Sequence, residues 1–566
     1  MNIKFNYILI TLIALVHNTL NAQYASPSVY RKGWHLEDKE NTGIYGISLH
    51  KAYSELLINQ QPKKKVIVAV IDSGVDTLHE DLKSVLWKNQ KEVPSNGIDD
   101  DNNGYVDDWY GWNFIGGKDG RNVSKDSYEG ARVYYKYKNI FADREINEDT
   151  LSNELKLSYK IYKKAKAQLE SQAKDAALYV LILKDIIAKI PSADSVIQKA
   201  IGKNEYTGDE LENFKVTDPQ INKAKSVMLS IFQQTKEMDK TNTLLVGELT
   251  RFYEGERSKL EAVEKAPKQY RAEIVNDIYS DINDRFYGNP DVMGPESSHG
   301  THVSGIIGAD RKNGIGINGI ADHVEIMTIR AVPDGDEHDK DIANAIRYAV
   351  DNGAWVINMS FGKSFSPEKN WVDDAAKYAE SKGVLLVHAA GNDAKNIDIE
   401  DNFPSKNLNN DTSKVLNNWI NVGASGASED DIIASFSNYG KREVNVFAPG
   451  VRIYSTIPGG NVYGDKDGTS MASPVVSGLA ALILSYYPSL SAQQVKWIIE
   501  ESVSKVNKPI MSTDDNENNT VSLQQLSSTG GIINAYNALK LASTIKGERE
   551  NESSSNSRVK KKGARK

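Results

Sequence analysis

Five apolar runs set the limits on this fold: VIVAVID at 66–72, EIMTIRAV at 325–332, WVINMSF at 355–361, VLLVHAA at 384–390 and WINVGAS at 419–425. Each is apolar along its length instead of alternating, the mark of a strand covered on both faces. Helical patterns such as DIANAIRYAVDNG (341–353) and WVDDAAKYAESKG (371–383) lie between them, each closed by a glycine. A charged amphipathic stretch at 47–60 precedes the first run. Doubly covered strands joined by helices form a parallel sheet between helical layers. The expected fold is therefore α/β, three-layered, doubly wound and mostly parallel. Ligands of such sheets gather beyond the carboxyl ends of the strands.

Residues 128–282 interrupt this pattern and are rich in Lys, Glu, Gln and Ala. A 4-3 spacing from Leu155 runs through Tyr159, Tyr162, Lys166, Leu169, Ala173, Ala176, Val180, Leu183 and Ile187. A second register joins Ile221, Ala224, Met228, Ile231, Thr235 and Met238, then less cleanly Leu245, Leu249 and Phe252. With Pro191 and Asp218-Pro219 between them, the two predict an antiparallel helical hairpin whose first arm is about 50 Å long. Its stripes either pack on each other within an insertion or present an arm to a protein partner.

The amino terminus, MNIKFNYILITLIALVHNTLNAQ, has a lysine, a short apolar run and a small residue at Ala22, the layout of a cleaved export signal over 1–22. No other stretch reads as a membrane span. The basic segment 546–566 has few core-forming residues and reads as a disordered tail, either solvated or loosely attached to an anionic surface. A formal charge of −8 on 566 residues argues against a general nucleic-acid binder. There is no cysteine, which excludes disulfides, thiol nucleophiles and thiolate zinc sites.

The stretch HGTHVSG (299–305) holds two histidines three positions apart. Either the pair binds zinc, with carboxylates completing the site, or one imidazole is a catalytic base and the other is structural. Three further segments bear on this. VIDSG puts Asp72 at the carboxyl end of a buried strand, AAGN puts Asn392 just past another, and GTSMASPVVSGLAALIL puts Ser470 at the amino end of an apolar helix.

Read together, VIDSGVDTLHEDL, HGTHVSG, INMSFG, AAGND and GTSMASP resemble the subtilisin-family serine proteases, in the order Asp, His, Ser that subtilisin itself uses. The resemblance spans about 30–127 and 283–540, so it implies a peptidase domain split into 23–127 and 283–545. It also implies a triad of Asp72, His299 and Ser470, with Asn392 in the oxyanion hole. A serine hydroxyl needs a base to take its proton, imidazole titrates nearest neutrality, and a buried carboxylate orients the imidazole. On this reading His302 is structural, and zinc loses its case because no HExxH pattern accompanies the pair.

The resemblance further implies an endopeptidase that acts on protein or peptide substrates; the amino-terminal signal adds export, and charge and hydropathy point to no nucleic-acid partner and no stable membrane span. Substrate would add as a strand beside Ser360, Phe361 and Gly362. The first specificity pocket would be lined by 360–362 and 388–391, including Ala390 and Gly391, with a floor in 396–404. There Asp398, Glu400 and Asp401 suit either a basic side chain or a merely solvated loop. Family members carry a long propeptide, and only roughly 25 residues separate the expected cleavage point from the first family-like segment, so folding without one is expected.

One motif stands apart. In NGIDDDNNGYVDDWYGWNF (96–114), Asp99, Asp101, Asn103, the carbonyl of Tyr105 and Asp107 alternate with the spacing of a calcium loop, with Gly104 at the sharp turn. The twelfth position is Tyr110, so the bidentate Glu of a complete EF-hand is missing. A structural Ca2+ is the expected cofactor.

Overall fold

Along Val66–Asp72 (β1), Val66, Val68 and Val70 face one core while Ala69 and Ile71 face another. Both faces of the strand are covered, which is why its sequence is apolar throughout. The structure is a computed structural model and describes residues 30–142, 145–235, 237–506, 509–511 and 520–549. The export signal and the tail from 550 lie outside the described residues.

β1 belongs to a nine-stranded sheet with Gly111–Asn113 (β2), Val324–Arg330 (β3), Val356–Met359 (β4), Leu385–Ala389 (β5), Trp419–Ser425 (β6), Val446–Pro449 (β7) and two short strands, Ser504–Lys505 and Gly531–Ile532. Its order is Ser504–Lys505, Gly531–Ile532, β7, β6, β5, β4, β1, β3, β2. Every pairing is parallel except that between the two short strands. From β1 the chain first builds outward through β3 and β2, then crosses to β4 and continues the other way. The β1/β4 junction is therefore a topological switch point, where the carboxyl ends open a crevice. Asp72 ends β1, and Ser360 follows Met359, which pairs with Ile71.

Two compact units make up the chain: Gly130–Lys268, and the residues on either side of it. The longer helices of the inserted segment are Glu129–Phe141 (α1), Asn153–Ile201 (α2), Pro219–Thr235 (α3) and Asn242–Glu264 (α4), with a short helix at Gly208–Asn213 and a 3-10 turn at Glu148–Thr150 between them. They differ from a simple hairpin in two ways. First, α2 runs through Pro191 for 49 residues, about 73 Å. Buried Ile190, Ala193 and Ile197 flank the proline and pack with Met228, Phe232 and Leu245, so burial on both sides outweighs the lost hydrogen bond. Second, the other arm is two helices, because Thr241 caps α4 by accepting from the amide of Leu244.

The boundary also moves inward from 282. Residues 269–282 fall within the expected insertion, yet Arg271 is 3% exposed and bonds Asp341 and Asp277, both buried, at 2.6 and 2.7 Å.

In the larger unit, Ser298–Gly308 (α5) and Thr469–Tyr486 (α8) cover one sheet face, while Asp339–Asp351 (α6) and Lys369–Ser381 (α7) cover the other. α8 has the length and hydropathy of a membrane span, contrary to the expectation of none beyond the amino terminus. It is 94% buried and forms the centre of the core.

Candidate active site

Asp72 is 2% exposed at the end of β1. Its Oδ1 accepts from the amide of Ser73 at 2.8 Å and lies 2.8 Å from Nδ1 of His299, the second residue of α5. The neighbouring Gly300 makes this approach possible. A Cβ there would lie 2.3 Å from the carbonyl oxygen of Gly74 and 3.1 Å from Cβ of Asp72. The His299 side chain remains 37% exposed and reachable from solvent.

His302, one turn further along, is fully buried with Nε2 on the carbonyl of Gly464 at 3.1 Å. Burial holds its pKa well below the ordinary value, with Lys466 adding to the effect, so it stays neutral. The two imidazoles thus have separate partners and do not converge on a common ion.

Ser470 is the second residue of α8. Its Oγ donates to the carbonyl of Ser360 at 3.0 Å, and Ser360 Oγ donates back to the carbonyl of Ser470 at 2.9 Å. That exchange places Ser470 beside the end of β4, next to the β1 end that carries Asp72, to which His299 is bonded. No hydrogen bond joins His299 to Ser470 in this conformer.

Asn392 Oδ1 accepts from both the amide and the hydroxyl of Thr469, each at 2.9 Å. A backbone N–H can only donate, so this contact fixes Oδ1 and leaves Nδ2 as a free donor. A Cβ added to Gly468, whose φ is +143°, would lie 3.4 Å from Asn392 Nδ2 and 3.5 Å from the amide nitrogen of Ser470. Two N–H groups therefore flank one small space at a helix amino end, a setting that favours negative charge. Thr469, which orients Asn392, was not singled out from the sequence, although it lies inside GTSMASP.

Phe361 offers its carbonyl to Nε2 of fully buried His388 at 2.8 Å. That nitrogen must carry the proton, and burial lowers the imidazole pKa to about 4, so the ring is a neutral support. Across the cleft, buried Ala390 accepts from Nδ2 of Asn402 at 3.1 Å, and Gly391 follows with φ +100°. Oδ1 of Asn402 lies 3.1 Å from where a Gly362 Cβ would stand, so Asn402 lies between the two segments expected to wall the pocket, where its floor was expected. Asp398 does not serve there, since its carboxylate accepts from the amides of Arg442 and Glu443 at 3.0 and 2.9 Å.

Residues 63–525 match the family model described as the Subtilase family. The chain is a subtilase. It is 41% identical over 212 residues to a thermophilic serine proteinase of Bacillus sp. (strain AK1), covering 37% of this chain and 48% of that protein. It is 39% identical to subtilisin DY of Bacillus licheniformis, covering 35% and 68%, and 38% identical to subtilisin E of Bacillus subtilis (strain 168), covering 37% and 51%. The matched region thus spans about half the length of the first and third of these relatives.

In this subtilase the acidic loop departs from the spacing argument. Ligand atoms of Asp99, Asp101 and Glu92 lie within 4.8 Å of one another. Asp107 instead turns to the amides of Asn96 and Gly97, each at 2.9 Å, and Asn103 Oδ1 accepts from the amide of Tyr105 at 2.8 Å. The ring of Tyr105 is buried among Trp112, Phe114 and Tyr348. Glu92, outside the motif, replaces Asp107 because Asp107 lies in a left-handed turn (φ +58°) that aims it at 96–97. Burial and the nearby carboxylates of Asp101 and Asp100 raise the Glu92 pKa, against the amides of those two residues. A cation among the three would relieve that strain, so the donor set fits calcium.

Proposed function

We propose that this subtilase is an exported serine endopeptidase. The observation that carries the reading is the Asp72–His299 pair at 2.8 Å on the sheet's switch point, with Ser470 held at the adjoining strand end. Rotation of Ser470 about Cα–Cβ moves Oγ from the Ser360 carbonyl to His299. Nε2 takes the proton as Oγ attacks the substrate carbonyl, and the displaced oxygen receives hydrogen bonds from Asn392 Nδ2 and the Ser470 amide. His299 then returns the proton to the leaving amine, and water repeats the sequence on the acyl-enzyme. Asp72 keeps Nδ1 protonated and stabilises the imidazolium.

A fluorophosphonate probe is expected to label Ser470 in protein recovered from the exported fraction, with an amino terminus following Ala22. An unreactive wild type refutes the catalytic reading, and an intact amino terminus refutes the export signal. Glu92, Asp99 and Asp101 would hold Ca2+, whose contribution is to neutralise the loop that follows the catalytic carboxylate. Chelation is then expected to lower Tm by about 5 °C or more. An unchanged Tm would show that the loop closes without an ion.

A further inference from the structure

The segment Ser360-Phe361-Gly362 ends in an exposed glycine and is followed at once by a buried lysine. The Lys363 side chain is only 2% exposed, a costly place for an ammonium unless acceptors surround it. Nζ lies 2.9 Å from Oε2 of Glu129 and 2.8 Å from Oδ1 of Asp339, and donates to the carbonyl of Glu337 at 2.8 Å. An ammonium has three N–H donors, so three acceptors in range leave its position fully determined.

Both carboxylates are buried and tied to other parts of the chain. Asp339 also accepts from the hydroxyl of Ser366 and the amide of Glu368, at 2.9 and 2.8 Å. Glu129 donates its amide to Asp336 at 2.7 Å and is the last residue before the chain enters the helical unit. The Lys363 main chain exchanges two hydrogen bonds of 2.9 Å with Phe403, next to Asn402 on the cleft floor. Gly362 has no side chain to anchor it. Its position is set from one side by His388 on Phe361 and from the other by the Lys363 cluster.

We infer that Glu129 and Lys363 are a positioning pair for bound peptide. The carboxylate at the root of the helical insertion holds the substrate-pairing strand where an incoming main chain can hydrogen-bond to it. The inference rests on the peptidase reading above. A peptide added as a strand depends on this edge, whereas a minimal ester such as p-nitrophenyl acetate reaches Ser470 without touching it. Since misplacing a site by about 1 Å can cost about 10²-fold, a partial displacement is expected to cost about tenfold.

The test compares a tetrapeptide anilide with p-nitrophenyl acetate on the full chain. Glu129→Ala is expected to raise KM for the anilide about tenfold, with ester turnover within about twofold of wild type. Glu129→Gln keeps an acceptor at the same place and should recover most of that loss, holding KM within about threefold. If the alanine variant fails to fold, Glu129→Asp, which keeps the charge but shortens its reach to Lys363, carries the same selective rise in KM. Equal losses on both substrates, or no loss on the anilide, overturn the inference while leaving the peptidase reading intact. A wild type inert to both substrates overturns that reading and the positioning pair with it.

Discussion

Ser470→Ala is expected to abolish turnover, with kcat for a peptide anilide falling about 10⁶-fold, as the equivalent loss does in subtilisin itself. The substitution removes a single hydroxyl. It leaves the hydrogen bond from Ser360 Oγ to the Ser470 carbonyl, so α8 stays docked on β4. Tm should therefore move little while activity disappears. The Ser470 amide and Asn392 Nδ2 remain in place, so peptide binding should survive, and KM or an inhibition constant would measure it. A variant that keeps more than about one hundredth of wild-type kcat would mean that another group is the nucleophile.

Replacing Asp72 is expected to have the second largest effect, with a direction that this site determines. Oδ1 accepts from Ser73 and faces His299, while Oδ2 is buried without a partner. In Asp72→Asn the Ser73 amide still needs an acceptor, so the amide oxygen stays on that side. His299 keeps Nδ1 protonated, and the loss is confined to the negative charge. Two unit charges about 4 Å apart at an effective dielectric of 20 interact by about 4 kcal/mol, so kcat should fall about 10³-fold. Asp72→Ala removes orientation as well and should fall further, to about the 10⁴-fold loss found in subtilisin. The order of the two kcat values is the check. An asparagine variant at least as impaired as the alanine variant would mean that the amide had flipped and trapped the wrong tautomer.

The fold was legible because its signal is local and repeated. VIVAVID, WVINMSF and VLLVHAA are apolar at every position, and only a strand between two layers has a use for that pattern. The helical segment was legible in type but not in path. Pro191 reads as a stop, yet α2 continues through it because Ile190 and Ile197 are buried in one cluster with Met228 and Phe232 of α3 and Leu245 of α4. The end of the insertion was hard to read for a related reason. Arg271 pairs with Asp277 and Asp341, and nothing local in the sequence marks its contact with Asp341, 70 positions on.

The site divides in the same way. Motif order alone names Asp72, His299, Asn392 and Ser470, because each sits in a short segment whose glycines and small residues are needed for close approach. Spacing also marked the acidic loop, but it chose Asp107 where the fold gathers Glu92 beside Asp99 and Asp101. Which carboxylates converge depends on where backbone amides point after folding.

What the amino-acid sequence determined by itself was the parallel sheet, the membership implied by its motifs and which side chains are proposed to react, all encoded in contiguous stretches. Tertiary structure alone decided that Ser470 Oγ rests on the Ser360 carbonyl, that Thr469 turns Asn392 outward, and that Lys363 reaches Glu129. Those contacts join residues up to 234 positions apart. Hydrogen bonds of a few ångströms are set by how whole elements pack, and no local pattern carries that information.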